Sequence, residues 1–211
     1  MHYQLVAPTQ LLPYLSTRLA LVAPELEYSL HTSANSAAQI VFQPSFFDHT
    51  PPQVEVFLLP SPLAATHGFM LGAAGSLSDL AANAAVLDAL APIPRGWLHL
   101  GEVGSASFIH QLWLILTAGN DELLPFWHNV KIPEHGFQLD QPQLVSELAS
   151  FLAQQQLQIQ SMSALAKTFL SQHPAQAFTP FHRQQSHLFG LFDSSSPAQQ
   201  IAQLLMSFQK V

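Results

Sequence analysis

The chain predicts one α+β domain spanning residues 1–211, rich in helix, with a small mixed or antiparallel sheet in the N-terminal half and a helical C-terminal half. Three observations predict it. Short β-leaning runs alternate with turn-rich sequence over the first hundred residues. Long segments with apolar residues at i, i+3, i+4 and i+7 dominate the remainder. Charge divides the same way, with three basic and twelve acidic residues before position 148, and three basic and one acidic after it.

The elements follow in order. Residues 3–7 read as a strand and Thr9 to Val22 as a helix, with Pro13 tolerated near its first turn. Leu26 to Leu30, Gln39 to Phe42 and Val54 to Leu59 read as short strands, with loops at His31 to Ser36 and Pro44 to Pro52. Gly68 to Gly75 reads as a glycine-spaced loop before a helix that Ser76 or Ser78 caps and Pro92 follows. Trp97 to Leu100 is a further strand, and Gly101 to Gly104 a loop. The next helix, Ser105 to Ala118, is apolar nearly all round at Leu112-Trp113-Leu114-Ile115-Leu116, which places it in the middle of the domain. A helix capped by Asp140, a second over Ser161 to Gln172 and a last one opened by Ser196 and Pro197 complete the chain, with Gln154 to Gln156 as a polar joint.

Composition bounds the function. Only 9% of the 211 residues are charged, against about 25% in an ordinary soluble domain. The place of those charges is taken by 22 Gln and 20 Ser. An apolar share of 48% argues against intrinsic disorder. Six Lys and Arg cannot neutralise a run of phosphates, so no nucleic-acid partner is expected. Formal charge is −7 with histidine neutral, and adding 11 protonated histidines brings it to +4. So thinly charged a surface favours association, and a homo-oligomer is expected. There are no cysteines, hence no thiolate nucleophile and no Cys-ligated zinc. No signal-peptide core and no apolar run of membrane-spanning length is present, so a cytoplasmic location without a membrane partner is expected.

Chemistry concentrates between Arg95 and Gly136, which hold all three Trp, five of nine Gly and four of eleven His. Aromatic side chains with sparse charges are what ligand pockets are built from, and the same residues also suit an ordinary core and its turns. The candidate ligand-binding residues are Arg95, Trp97, His99, Glu102, Gly104, Ser105, Ser107, His110, Trp127 and His128. The run Gly101-Glu102-Val103-Gly104-Ser105-Ala106-Ser107 enters a helix, where glycines allow close approach and first-turn N–H groups can hold an anion. No Lys follows, so it is not a nucleotide-binding P-loop, and Glu102 opposes phosphate; a plain capped turn fits equally. His99, Glu102, His110, His128 and His135 lack the spacing of a metal site, so neither metal nor cofactor is expected.

Two functions remain open on these residues. One is a non-catalytic domain that binds a small molecule or anion, or another protein, and self-associates through Phe181, Phe189 and Phe192. The other is a small hydrolase, with or without a metal, sited in residues 95–136. It would use Ser105 or Ser107 with His99 or His110 and an acid such as Glu102 or Asp121. No G-x-S-x-G elbow accompanies these residues, and the binding reading is preferred.

Overall fold

The computed structural model describes residues 2–32, 40–44, 52–59, 61, 63–118, 141–174, 177–182 and 195–207, with residues 141–148, 151 and 152 as backbone. Its centre is a six-stranded sheet: β1 (His2–Val6), β2 (Glu27–His31), β3 (Ile40–Phe42), β4 (Val54–Leu58), β5 (Leu71–Gly75) and β6 (Leu98–Gly101). The strand order is β2-β1-β3-β4-β5-β6. β1 pairs in parallel with both β2 and β3, and β3 in parallel with β4. Direction reverses once, where Val54 to Leu58 run antiparallel to Leu71 to Gly75, and β6 then runs parallel to β5.

This overturns the expected small mixed or antiparallel sheet beside a separate helical half. The fold is α/β, built on a sheet that is mostly parallel. Helix α1 (Leu12–Val22) carries the chain from β1 to β2, and α3 (Leu77–Leu90) carries it from β5 to β6. Parallel neighbours require such crossovers. The parallel group β2-β1-β3-β4 and the parallel pair β5-β6 run in opposite directions and meet at β4 and β5, while a one-turn helix, α2 (Ala64–His67), lies in the connection.

Each sheet face has its own core. Leu15 and Leu19 of α1 and Leu80, Leu87 and Leu90 of α3 pack on Leu5, Val54, Val56 and Ala73. On the opposite face Phe57, Ala74 and Leu100 meet Ala106 of α4 (Ser105–Ala118). Behind α4 lie α5 (Gln141–Gln172) and α6 (Pro197–Ser207), where Phe108 stacks on Phe169 at 4.4 Å between ring centres.

Three expectations change in detail. Gly68 to Gly75 is not a loop throughout, because Leu71 to Gly75 form a central strand. Gly72 belongs there by packing: a Cβ at that position would lie 2.7 Å from the Leu100 side chain. Gln154 to Gln156 do not joint two helices but continue the 32-residue α5, since glutamine is a good helix former. Helix α4 is buried only in part. Phe108 and Leu112 are covered, while Trp113, Leu114 and Leu116 are 37%, 45% and 45% exposed. Expectations for His31 to Ser36 and Pro44 to Pro52 fall largely outside the described residues, as does everything between 119 and 140.

Two buried charges lock helix ends to this frame. Arg18 of α1 donates from Nε to the Ala89 carbonyl at 3.0 Å and from its terminal nitrogens to Thr66 and Ala91 at 2.8 Å each. A guanidinium at the carboxyl end of α3 answers the negative end of the helix dipole. Glu55 of β4 does the converse at the amino end of α4. Its Oε2 accepts the N–H groups of Gly104 at 2.8 Å and Ser107 at 3.3 Å, and its Oε1 accepts the Ser107 hydroxyl at 3.0 Å. Replacing the carboxylate by an amide, Glu55→Gln, sets a donor against donors and removes the charge–dipole attraction. The expected loss is about 2 kcal/mol in urea unfolding, with faster amide exchange at Gly104 and Ser107. An unchanged urea midpoint would show that the contact contributes nothing net.

Candidate functional site

The sequence-predicted residues cluster around β6, and strand alternation divides them. Leu98 and Leu100 point to the α4 face, while Trp97 and His99 turn to the other. His99 is 3% exposed, with its ring 4.7 Å from that of Phe178. Burial lowers its pKa, against the opposing pull of backbone groups of Gly75, Gly101 and Thr179. It is a core histidine, held neutral.

After β6, Gly101 and Gly104 turn the chain into α4 with φ of 137° and 98°, values that favour glycine. A Cβ on Gly104 would lie 2.5 Å from Nε2 of His173, so the imidazole occupies the space a side chain there would fill. The amide groups that the sequence offers to an external anion serve Glu55 instead. Ser107 is consumed by the same contact. His110, farther along α4, donates from Nδ1 to the Pro44 carbonyl at 3.0 Å and sits 6.3 Å from the Phe57 ring. The candidate set therefore does not converge on one centre. Trp127 and His128 lie outside the described residues.

What it does flank is a pair of cavities. Arg95 and Trp97 line a groove of about 510 Å³ at the start of β6. Its walls are mostly apolar, from Phe57, Leu59, Leu98, Leu100 and Ile109. Arg95 stands at left-handed backbone angles, φ 62°, in a turn that Asp88 of α3 organises. One carboxylate oxygen of Asp88 accepts the Arg95 N–H at 2.9 Å and the Trp97 indole N–H at 2.8 Å. His182 completes this edge, with its ring centre 4.8 Å from that of Trp97. Its Nε2 is buried with no hydrogen-bond partner among the described residues. Burial lowers its pKa, the Asp88 charge opposes that and the Arg95 charge adds to it.

Glu102 and Ser105 line the other cavity, at the far end of β6. There they meet His173, Phe178, Ser196 and Gln199, none of which was a sequence candidate. Burial lowers the His173 pKa and the Glu102 charge works against it. Phe181, expected at a self-association surface, is partly buried and packs against the core at 5.0 Å from Trp97; Phe189 and Phe192 fall outside the described residues. Among the described residues no three His, Asp or Glu group as metal ligands, and no helix is long and apolar enough to cross a membrane.

The strand order and the helix crossovers define an α/β protein with an open, mostly parallel sheet. No family model matches the chain, and no curated protein matches it in sequence. Among solved structures it is similar to an imine reductase variant from Myxococcus stipitatus, solved with NAD+. The TM-score is 0.42 and the identity 12%, over 97% of this chain and 99% of that one. At that similarity neither the reductase's cofactor nor its reaction transfers to this chain. The turn after β1, residues 7–11, contains no glycine, whereas the dinucleotide fingerprint uses glycines there to admit a pyrophosphate.

The desolvated histidines set a pH dependence. His99, His173 and His182 all have lowered pKa values, so each is harder to protonate in the fold than in the unfolded chain, where histidine titrates near pH 6.5. Their stabilisation is complete above that pH and is lost as pH falls through the lowered folded values. The urea midpoint is expected to drop steadily as pH falls below about 6.5, and His99→Gln to flatten part of that slope. Identical slopes for the two proteins would remove His99 from the account.

Proposed function

We propose that the chain is a non-catalytic binding protein whose small-molecule ligand joins an apolar body to an acidic group and occupies the groove beside Arg95. The observation that carries this is the groove itself, about 510 Å³ of mostly apolar wall with Arg95 and the half-buried His182 at one edge. Ligand sites are commonly of this size, mainly apolar, with a few polar groups that fix orientation. Arg95 supplies paired donors for a carboxylate, and the edge of Trp97 with Leu98 and Ile109 receives the body. The hydrolase reading draws less support. The Ser107 hydroxyl is committed to Glu55, and among the described residues the Ser105 hydroxyl bonds no histidine.

An aromatic carboxylate tests the groove directly. Titrating the protein with 2-naphthoate is expected to give saturable perturbation of the Trp97 indole resonance in NMR spectra. Arg95→Ala is expected to weaken it by about tenfold, the loss of one charge-assisted contact. No saturable binding, or equal binding by the variant, would overturn the assignment.

The proposal includes self-association of a cytoplasmic protein. Low surface charge supports it, and so do the exposed Trp113, Leu114 and Leu116 of α4, which stand in for Phe181 as the contact. Sedimentation equilibrium is expected to give a multiple of the 23.1 kDa chain mass, reduced to the single mass by Leu116→Glu. A single chain mass at every concentration would exclude self-association.

A further inference from the structure

The second cavity has a chemistry of its own. It measures about 340 Å³ and lies where the carboxyl end of α5 meets the amino ends of α4 and α6. Ser105, the first residue of the 14-residue α4, is 2% exposed and lines it. No hydrogen bond within the described residues engages its hydroxyl, which is left to meet a guest in the cavity.

Ser196 faces the same space. A Cβ on Gly101 would stand 2.7 Å from Ser105 Oγ and 2.8 Å from Ser196 Oγ, which puts the two oxygens no more than about 5.5 Å apart. Ser196 Oγ accepts the Gln199 N–H at 3.3 Å as the cap of α6, and its own proton remains free to donate. The Gln199 side chain is occupied, accepting the Ser196 N–H and donating to the carbonyls of His173 and Pro174. The half-buried His173 imidazole and Glu102 add polar groups, and Phe178 adds an apolar wall.

Charge selects the guest. Glu102 at the cavity repels anions, and Glu55 already holds the Gly104 and Ser107 amides that would receive one. Glu55 answers the amino end of α4, and the carboxyl end of α5 stands beside the amino end of α6, so the helix ends select neither sign. A neutral molecule with several hydroxyl groups escapes the penalty on an anion and matches the two serine hydroxyls. Its hydroxyls donate and accept as required, and its C–H face can lie on an aromatic ring.

We propose that this cavity binds a neutral polyhydroxylated small molecule of monosaccharide size, with adjacent hydroxyls on Ser105 and Ser196 and its apolar face against Phe178. The site is independent of the groove beside Arg95.

The test is an NMR titration of the full ¹⁵N-labelled chain with D-glucose, D-ribose and glycerol, and with inorganic phosphate and ethanolamine as charged comparators. At least one neutral compound is expected to shift the Gly101, Ser105 and Ser196 amides saturably, while the two charged compounds leave them unmoved. Ser105→Ala is expected to weaken that binding about tenfold without shifting the urea midpoint. Ser105→Thr, which keeps the hydroxyl and adds a methyl group to the cavity, is expected to weaken it as well. Failure of all three neutral compounds, stronger shifts with phosphate or ethanolamine, or full binding by Ser105→Ala would each overturn the proposal.

Discussion

The carboxylate of Glu55 is the interaction on which the sheet and the helical layer both depend. It rises from a strand whose other members are apolar and reaches the first turn of α4 through three hydrogen bonds. An isolated carboxylate would not survive in such a place, whereas one that receives two N–H groups and a hydroxyl at a helix amino end is compensated. Helix α4 in turn is the base on which α5 and α6 pack, through Phe108, Phe169 and Ala202. Arg18 mirrors the arrangement at the carboxyl end of α3. Among the described residues two charged side chains, Arg18 and Glu55, are buried in the fold, and both fix the end of a helix.

That economy explains why the glycine-containing turn after β6 looks like an anion site in sequence and is not one in space. The features are the right ones: glycines at positive φ, hydroxyl side chains and a helix start. The anion is supplied from within, by a residue some fifty positions earlier in the chain. The signal was present, because a single glutamate inside Val-Glu-Val-Phe-Leu is out of place in a buried strand. A charge in such a run asks for a partner, and a nearby helix start with unpaired N–H groups is the natural one.

Much of the element map was legible for ordinary reasons. Runs such as Ile-Val-Phe and Val-Glu-Val-Phe-Leu carry β-branched and aromatic residues, and α3, α4 and α6 have caps or periodic apolar faces. Strand β5 was not legible, because Leu-Gly-Ala-Ala-Gly has no β-propensity and is strand only through burial between its neighbours. The sense of the sheet was available in principle, since strand, helix and strand alternate over the first thirty residues. The cavities were half legible. Arg95, Trp97, Glu102 and Ser105 stand out by type and spacing, while His173 and Ser196 reach the site from helix ends distant in sequence, where nothing local marks them.

The reversal of direction between β4 and β5 has a consequence for traffic in and out of the molecule. In an all-parallel sheet every strand delivers its following loop to one edge, and the protein has one mouth. Here β1 to β4 deliver theirs to one edge and β5 and β6 to the other, so there are two mouths. They are joined by β6, four residues long and about 13 Å from end to end, with the groove at its beginning and the polar cavity at its close. Occupants at the two ends would never touch, and each would feel the other only as tension along one short, stiff strand.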